Sequence, residues 1–237
     1  MGEAFIRNRA RSRLPSFTYT GDYEFIDEGH GNWKVKFLSS GDLVFKSTSG
    51  KVSHGIDVFL VGGGGDPAYQ YYGNVATAQG GGGYTLTQQN VSVEKRTVYP
   101  IVVGAGRQVS SAFGYTANQG QNGWTEIIDL TPYGGGTFAR SHGGNGGSGG
   151  AAAQDAWSGT GGVDGAAGGG SEYAGNGQGR TTREFGESGG DLYSTGGGTN
   201  STNTPNSGNG GYWGTNANRS GGFNGCSGIV IIRNHRE

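Results

Sequence analysis

The first half of the chain alternates apolar and polar residues in the manner of strands. In Trp33-Lys34-Val35-Lys36-Phe37-Leu38 every second side chain is apolar, so Trp33, Val35 and Phe37 are expected to face a core and Lys34 and Lys36 to face water. Phe17-Thr18-Tyr19-Thr20 and Tyr23-Glu24-Phe25-Ile26-Asp27 read as strands on either side of Gly21-Asp22, a hairpin-like turn signal. Gly29-His30-Gly31-Asn32 and Ser39-Ser40-Gly41-Asp42 are further turns, the second leading into Leu43-Val44-Phe45. Ile56-Asp57-Val58-Phe59-Leu60-Val61 is the most apolar strand of this half, followed by strands over 83–93, 97–103 and 124–130. The chain ends in Ile229-Val230-Ile231-Ile232-Arg233, a short continuous apolar run that marks a buried strand and most simply pairs with the N-terminal sheet. No stretch has apolar residues at helical spacing.

Composition changes the picture at Pro132-Tyr133-Gly134. The chain has 237 residues and 54 glycines, against an ordinary glycine usage of about 7%. From 134 to 228 roughly a third of residues are glycine. Two stretches carry a triplet rhythm, one running from Gly143 to Ala151 and one marked by Gly159, Gly162, Gly165 and Gly168. Collagen needs an unbroken register and abundant proline, and here Pro205 stands alone. Polyglycine II geometry accounts for the rhythm: three residues per turn, no internal hydrogen bonds, and glycine faces that let neighbouring backbones bond one another. A flexible linker is the plainer alternative. Trp157, Tyr173, Phe185, Tyr193, Tyr212, Trp213 and Phe223 argue against it, because linkers rarely carry so many large aromatics. The expected architecture is therefore all-β: an N-terminal antiparallel sandwich or jelly-roll-like sheet, a polyglycine II bundle, and a closing C-terminal strand. The expected divisions are an arm over 1–16, a β-rich domain with Gly-rich insertions over 17–133, a polyglycine II region over 134–228, and the strand and tail over 229–237.

Charge and chemistry mostly exclude. Net charge is −1, which leaves no electrostatic footprint for nucleic acid. Arg7, Arg9, Arg11 and Arg13 are a local exception, sharing one side if the arm is extended. They are either a solvated arm or a docking strip for an acidic partner. The single cysteine, Cys226, permits no intrachain disulfide and reads as packed. No segment has signal-peptide or membrane-spanning character, so synthesis in a cytoplasm without standard export, and no membrane insertion, are expected. Val102-Val103-Gly104-Ala105-Gly106 lacks the third glycine of a dinucleotide turn, since position 109 is valine. His30, His54, His142 and His235 are not spaced as metal ligands, and no catalytic constellation appears. No cofactor and no enzymatic activity are expected. Asn, Ser and Thr beside aromatics form a recognition-like pattern, as in adaptable binding surfaces. Asn200, Thr202, Asn203, Tyr212, Trp213 and Asn216 are the contact candidates, with aromatic capping of the glycine helices the plainer reading.

Met1-Gly2-Glu3-Ala4-Phe5-Ile6, Tyr19-Thr20-Gly21-Asp22-Tyr23, the 31–38 strand, Ile56 through Gly65, Gly81-Gly82-Gly83-Tyr84-Thr85 and Gly228 through Arg233 occur in an order that resembles glycine-rich domain proteins of tailed phages of Gram-positive gut bacteria. Distal adhesins of T-even-like tail fibres, and in packing the glycine-rich domain of anaplastic lymphoma kinase, are similar. The resemblance implies a polyglycine II sandwich and a virion tail-fibre or tail-tip protein that binds a host surface protein or glycan. It would sit among other virion tail proteins, with Arg7, Arg9, Arg11 and Arg13 as docking candidates. Fibres are commonly threefold, so a homotrimer is an option. The N-terminus departs from the T-even fibre-docking domain. A decoration or fibre-shaft protein without a receptor, and a glycan-degrading enzyme, are the alternatives.

Overall fold

The computed structural model describes residues 14–47, 50–72, 74–154, 159–214 and 222–236. Its strands are β1 (Ser16–Tyr19), β2 (Tyr23–Gly29), β3 (Asn32–Phe37), β4 (Gly41–Ser47), β5 (Ile56–Val61), β6 (Ala68–Tyr72), β7 (Asn74–Ala78), β8 (Thr85–Val91), β9 (Val98–Ile101), β10 (Ser110–Ala112), β11 (Tyr115–Ala117), β12 (Trp124–Asp129), β13 (Thr137–His142), β14 (Ala152–Gln154) and β15 (Ile229–Asn234). Every pairing between them is antiparallel, and the fold is all-β.

A five-stranded sheet, β2-β3-β15-β5-β8, packs against a three-stranded sheet, β1-β4-β9. Trp33, Val35 and Phe37 of β3, Val58 and Leu60 of β5, and Val230 and Ile232 of β15 meet Leu43 and Phe45 of β4 and Ile101 of β9. The terminal strand is not at an edge. It lies between β3 and β5, with Ile231 opposite both Lys36 and Phe59. β5 and β15 are buried along their whole length, because the second face of the sheet is covered too. There Phe59, Val61, Ile229 and Ile231 pack on Phe185 and Tyr193.

That cover corrects two expectations. Lys34 and Lys36 do not face water: the loop over 182–194 lies on them, and their side chains are only 15% and 16% exposed. Alternation fixes which face a side chain occupies, not what lies on that face. Gly21-Asp22 is not a hairpin turn, since β1 pairs with β4 and β2 with β3. It is a corner between the two sheets, pinned by the Asp22 amide donating to Ser39 Oγ at 2.7 Å. Gly29-His30-Gly31 does turn a true β2–β3 hairpin, with positive φ at all three residues.

The glycine segments continue the strands outward from the sheet. β5 runs into 62–65 and on to β6; the chain turns and returns through β7 and 79–84 into β8. These two limbs stay paired throughout, with Gly62 N–H on Tyr84 O at 3.0 Å and Gly65 N–H on Gly81 O at 2.8 Å. Residues of the returning limb donate to a different neighbour at each step and to the same neighbour every third residue. Gln79 and Gly82 donate to Ala151 and Ser148, Gly80 and Gly83 to Gly211 and Gly208, and Gly81 and Tyr84 to Gln121 and Asn118. Gly144, Gly147 and Gly197 donate back to it from other sides. The segments approach so closely that a Cβ on Gly83 would fall on the Gly62 carbonyl oxygen. Gly80, Gly81, Gly82 and Gly83 are all buried, and their N–H groups are all bonded, as burial requires.

Beyond this lattice lie two small sheets, β14-β7-β6 and β12-β13. The composition change at Pro132-Tyr133-Gly134 falls in the turn between β12 and β13. A 3-10 turn over Thr131–Tyr133 ends there on Gly134 in the left-handed region.

Candidate functional site

The contact candidates of the sequence reading are placed along the flank of the lattice. Asn200 is exposed, yet its amide is engaged at both ends: Oδ1 accepts from Gly161 N–H at 2.9 Å and Nδ2 donates to Gly161 O at 3.1 Å. Thr202 receives Asn209 Nδ2 on its carbonyl at 3.1 Å, and Thr204 Oγ1 donates to its hydroxyl at 3.0 Å. Asn203 is exposed, with Oδ1 near Cys226 Sγ at 3.8 Å. Cys226 is buried, and that burial pushes its thiol pKa up. Tyr212 and Phe223 exchange backbone hydrogen bonds, joining the two segments. Trp213 stacks on Tyr69, with centroids 5.5 Å apart, and its backbone N–H donates to Gln79 Oε1 at 2.7 Å. Asn200, Thr202 and Asn203 share one loop, while Tyr212 and Trp213 sit at the other end of the 208–212 segment. Asn216 lies outside the described residues, as do Arg7, Arg9, Arg11, Arg13 and Trp157.

A group of exposed large side chains, including the two most exposed among the described residues, lies elsewhere. Tyr71 and Tyr72 at the end of β6, Ile127 of β12, and Leu130 and Tyr133 in the β12–β13 turn all stand out from the surface, Tyr133 by 87% and Tyr71 by 62%. Asn74 ties the two hairpins together: Oδ1 accepts from Ala139 N–H at 2.7 Å and Nδ2 donates to Ala139 O at 3.0 Å. From Val61 at the sheet edge to Tyr72 the chain runs extended for about 35 Å. β1 starts at the other end of the molecule. Ser16 opposes Ser47, whereas Gly41 at the far end of β4 opposes Ile101, close to Gly104, which accepts from Gly228 within the lattice. Tyr71-Tyr72-Gly73-Asn74 carried a sequence signal for this surface. Adjacent strand residues point to opposite faces, so two tyrosines before a Gly-Asn turn do not both enter one core.

The charged cluster beneath the 182–194 loop is structural in its bonding. Lys34 Nζ meets Glu184 at 2.6 Å and Lys36 Nζ meets Asp191 at 3.0 Å. Burial works to lower the Lys36 pKa, but bonds from Asp191 and Tyr193 and the charge of Glu184 raise it overall. The Lys36 hydrogen bond holds Asp191 below the usual carboxylate range, and burial pushes Tyr193 up to about 12. Deeper, Arg233 pairs with fully buried Asp57 at 3.0 Å and with Glu187 at 2.7 Å, and lies 4.0 Å from the Phe185 ring centroid. His235 Nδ1 completes the set at 2.6 Å from Asp57. Among the described residues no group of His, Cys, Asp and Glu is placed to hold a metal ion, and no helix is long and apolar enough to cross a membrane.

A family model described as a glycine-rich domain matches residues 43–235, from β4 to the last strand. The chain belongs to the glycine-rich domain family. That match covers the lattice, both hairpin sheets and the sandwich strands from β4 onward, leaving β1, β2 and β3 outside it, so the unit it describes is more than the glycine tracts alone. No curated protein and no solved structure matches the chain.

Proposed function

We propose that this glycine-rich domain protein is a phage virion tail-fibre or tail-tip protein that binds the host cell surface. The observation that carries the reading is the group of exposed side chains, Tyr71, Tyr72, Ile127, Leu130 and Tyr133, on two hairpins held beyond the glycine lattice. Large apolar side chains gathered at one extremity are what an interaction surface requires, and tyrosine is favoured there because it offers wide contact at low entropy cost. β1 starts at the opposite end of the molecule, which suits attachment to other tail proteins through the chain's N-terminal arm and presentation of the hairpins outward. The ordered sequence resemblance to tailed-phage proteins supplies the particle. On this reading the glycine segments are polyglycine II helices, and the period-three bonding supports that geometry. They act as a stiff spacer that contributes reach rather than contact. Many copies on one particle make a weak individual site sufficient, through avidity.

The test is binding of the labelled full chain to cells of the host strain, together with competition against particle adsorption. Saturable binding that blocks adsorption, and that falls when Tyr71, Tyr72 and Tyr133 are changed to Ala together, is the expected result. Absence of both binding and competition would overturn the reading.

A further inference from the structure

Three neighbouring segments at the side of the lattice carry the same spacing: an aromatic ring and an amide three residues apart with glycine between. They are Gln121-Asn122-Gly123-Trp124, His142-Gly143-Gly144-Asn145 and Tyr173-Ala174-Gly175-Asn176. The fold sets them side by side. Trp124 and His142 are directly opposite across β12 and β13, Gly143 N–H donates to Tyr173 O, Gly146 N–H to Asn176 O, and Gln121 N–H to Asn145 O. Two rows result. In the aromatic row, Trp124 stacks on His142 with centroids 3.8 Å apart and planes 2° from parallel, and His142 meets Tyr173 at 4.9 Å. In the amide row, Asn145 Nδ2 donates to Gln121 Oε1 at 3.0 Å, and Asn145 Oδ1 accepts from Asn176 N–H at 2.7 Å. Three residues of extended chain separate the rows by about 9 Å.

We propose that these two rows form a binding face for a neutral glycan, with a sugar ring stacked on Trp124 and its hydroxyls bonded by the amide row. The indole is built as a platform. One face is filled by His142, itself held by Glu126 at 2.8 Å, and the side chain is still 51% exposed. The row is fixed from behind by Arg140, which meets Glu126 at 3.5 Å and lies 4.7 Å from the Tyr173 ring centroid. Among the described residues the Gln121 Nε2 and the side-chain amide of Asn176 have no protein partner, and both residues are exposed, so donors and an acceptor are free at the rim. Of the charged groups here, Arg140 pairs with Glu126 and the Glu172 carboxylate bonds the Tyr173 side chain, which leaves no unpaired cation to select a polyanion. A flat aromatic surface rimmed by free amides fits a ring with C–H faces and hydroxyl edges. An apolar peptide would leave those amides without partners, at a cost. The inference names a ligand class within the adhesin reading but stands on a different surface from the hairpin tips.

The experiment titrates neutral hexasaccharides of glucose, galactose, mannose and N-acetylglucosamine, with heparin as a polyanion control, into the full chain. It reads the Trp124 indole N–H by NMR and the affinity by calorimetry. At least one neutral oligosaccharide is expected to bind saturably and shift the Trp124 signal. Trp124→Ala is expected to weaken it about tenfold or more, and Gln121→Ala and Asn176→Ala severalfold each. Val98→Ala, at an exposed position of β9 that belongs to neither surface, should leave it unchanged. Should Trp124→Ala fail to fold, Trp124→Phe and the shift map of the unaltered chain decide the matter. The inference is overturned if no neutral oligosaccharide binds, if binding survives Trp124→Ala undiminished, or if only heparin binds. Cell binding that persists while every glycan fails would remove this inference and leave the adhesin reading standing; loss of both would remove both.

Discussion

In the sandwich, Phe37, Phe45 and Leu60 are sealed from water by side chains of the facing sheet. In the lattice, Gly80, Gly81, Gly82 and Gly83 are just as buried and have no side chains at all. The first region gains from apolar area removed from water, roughly 1.5–3 kcal/mol for each large side chain fully buried. The second gains little apolar area. Its segments fix glycine backbones, which lose the most conformational freedom on folding, and they are held by hydrogen bonds between backbones, as from each buried N–H of Gly80, Gly81, Gly82 and Gly83. A core of side chains tolerates some change in shape, since neighbours can repack. A core of backbones has nothing to repack, so its failures should be abrupt.

The largest effect should come from adding one methyl to the lattice. A Cβ on Gly83 meets the Gly62 carbonyl, and one on Gly149 meets that of Gly175; Gly83→Ala and Gly149→Ala should each cost about 4 kcal/mol or more in denaturant unfolding. Gly136→Ala, whose new Cβ meets nothing within 4 Å, should stay within about 0.5 kcal/mol. Equal, small effects at all three positions would break the contrast. In the sandwich, Leu60→Ala removes methyl groups from a filled site and should cost about 2–4 kcal/mol while leaving a cooperative transition.

The contact between the two regions can be read by pH. Tyr193, on the lattice side of the five-stranded sheet, has its pKa pushed up by burial to about 12. The fold favours its neutral form, so that stability is complete below pH 10 and is lost as pH rises toward 12. The amount is roughly 2 kcal/mol, and Tyr193→Phe should flatten that part of the curve. The smallest effect is at Asp191. The Lys36 hydrogen bond lowers its pKa, so its contribution is present above about pH 4 and fades as pH falls below that value. Its side chain is 65% exposed, and Asp191→Asn should therefore cost under about 1 kcal/mol at neutral pH.

The sandwich was largely legible in the sequence because its information is local. Alternation placed Trp33, Val35 and Phe37 inward, and the continuous apolar run of β15 marked a buried strand. What covers the second face was not legible, because Lys34 and Lys36 look like solvent-facing residues until the 182–194 loop lies on them. The lattice was legible as a rhythm but not as a set of partners. Period three says that a segment has three faces; it does not say that Gly80 bonds Gly211 while Gly81 bonds Gln121. For the same reason the aromatic and amide rows were hidden, since Trp124, His142 and Tyr173 become neighbours only through those pairings. Asn200 shows the reverse case. It has the composition of a contact residue, yet both ends of its amide are engaged by Gly161.

The central claim is that the glycine segments are an ordered, backbone-bonded body and not flexible linkers. Residue-resolved amide hydrogen exchange on the full chain tests it most directly. The N–H groups of Gly80, Gly81, Gly82 and Gly83 should exchange as slowly as those of β5 and β15, by opening only with global unfolding. Exchange of these four at the rate of an unstructured glycine peptide, while β5 stays protected, would contradict the account.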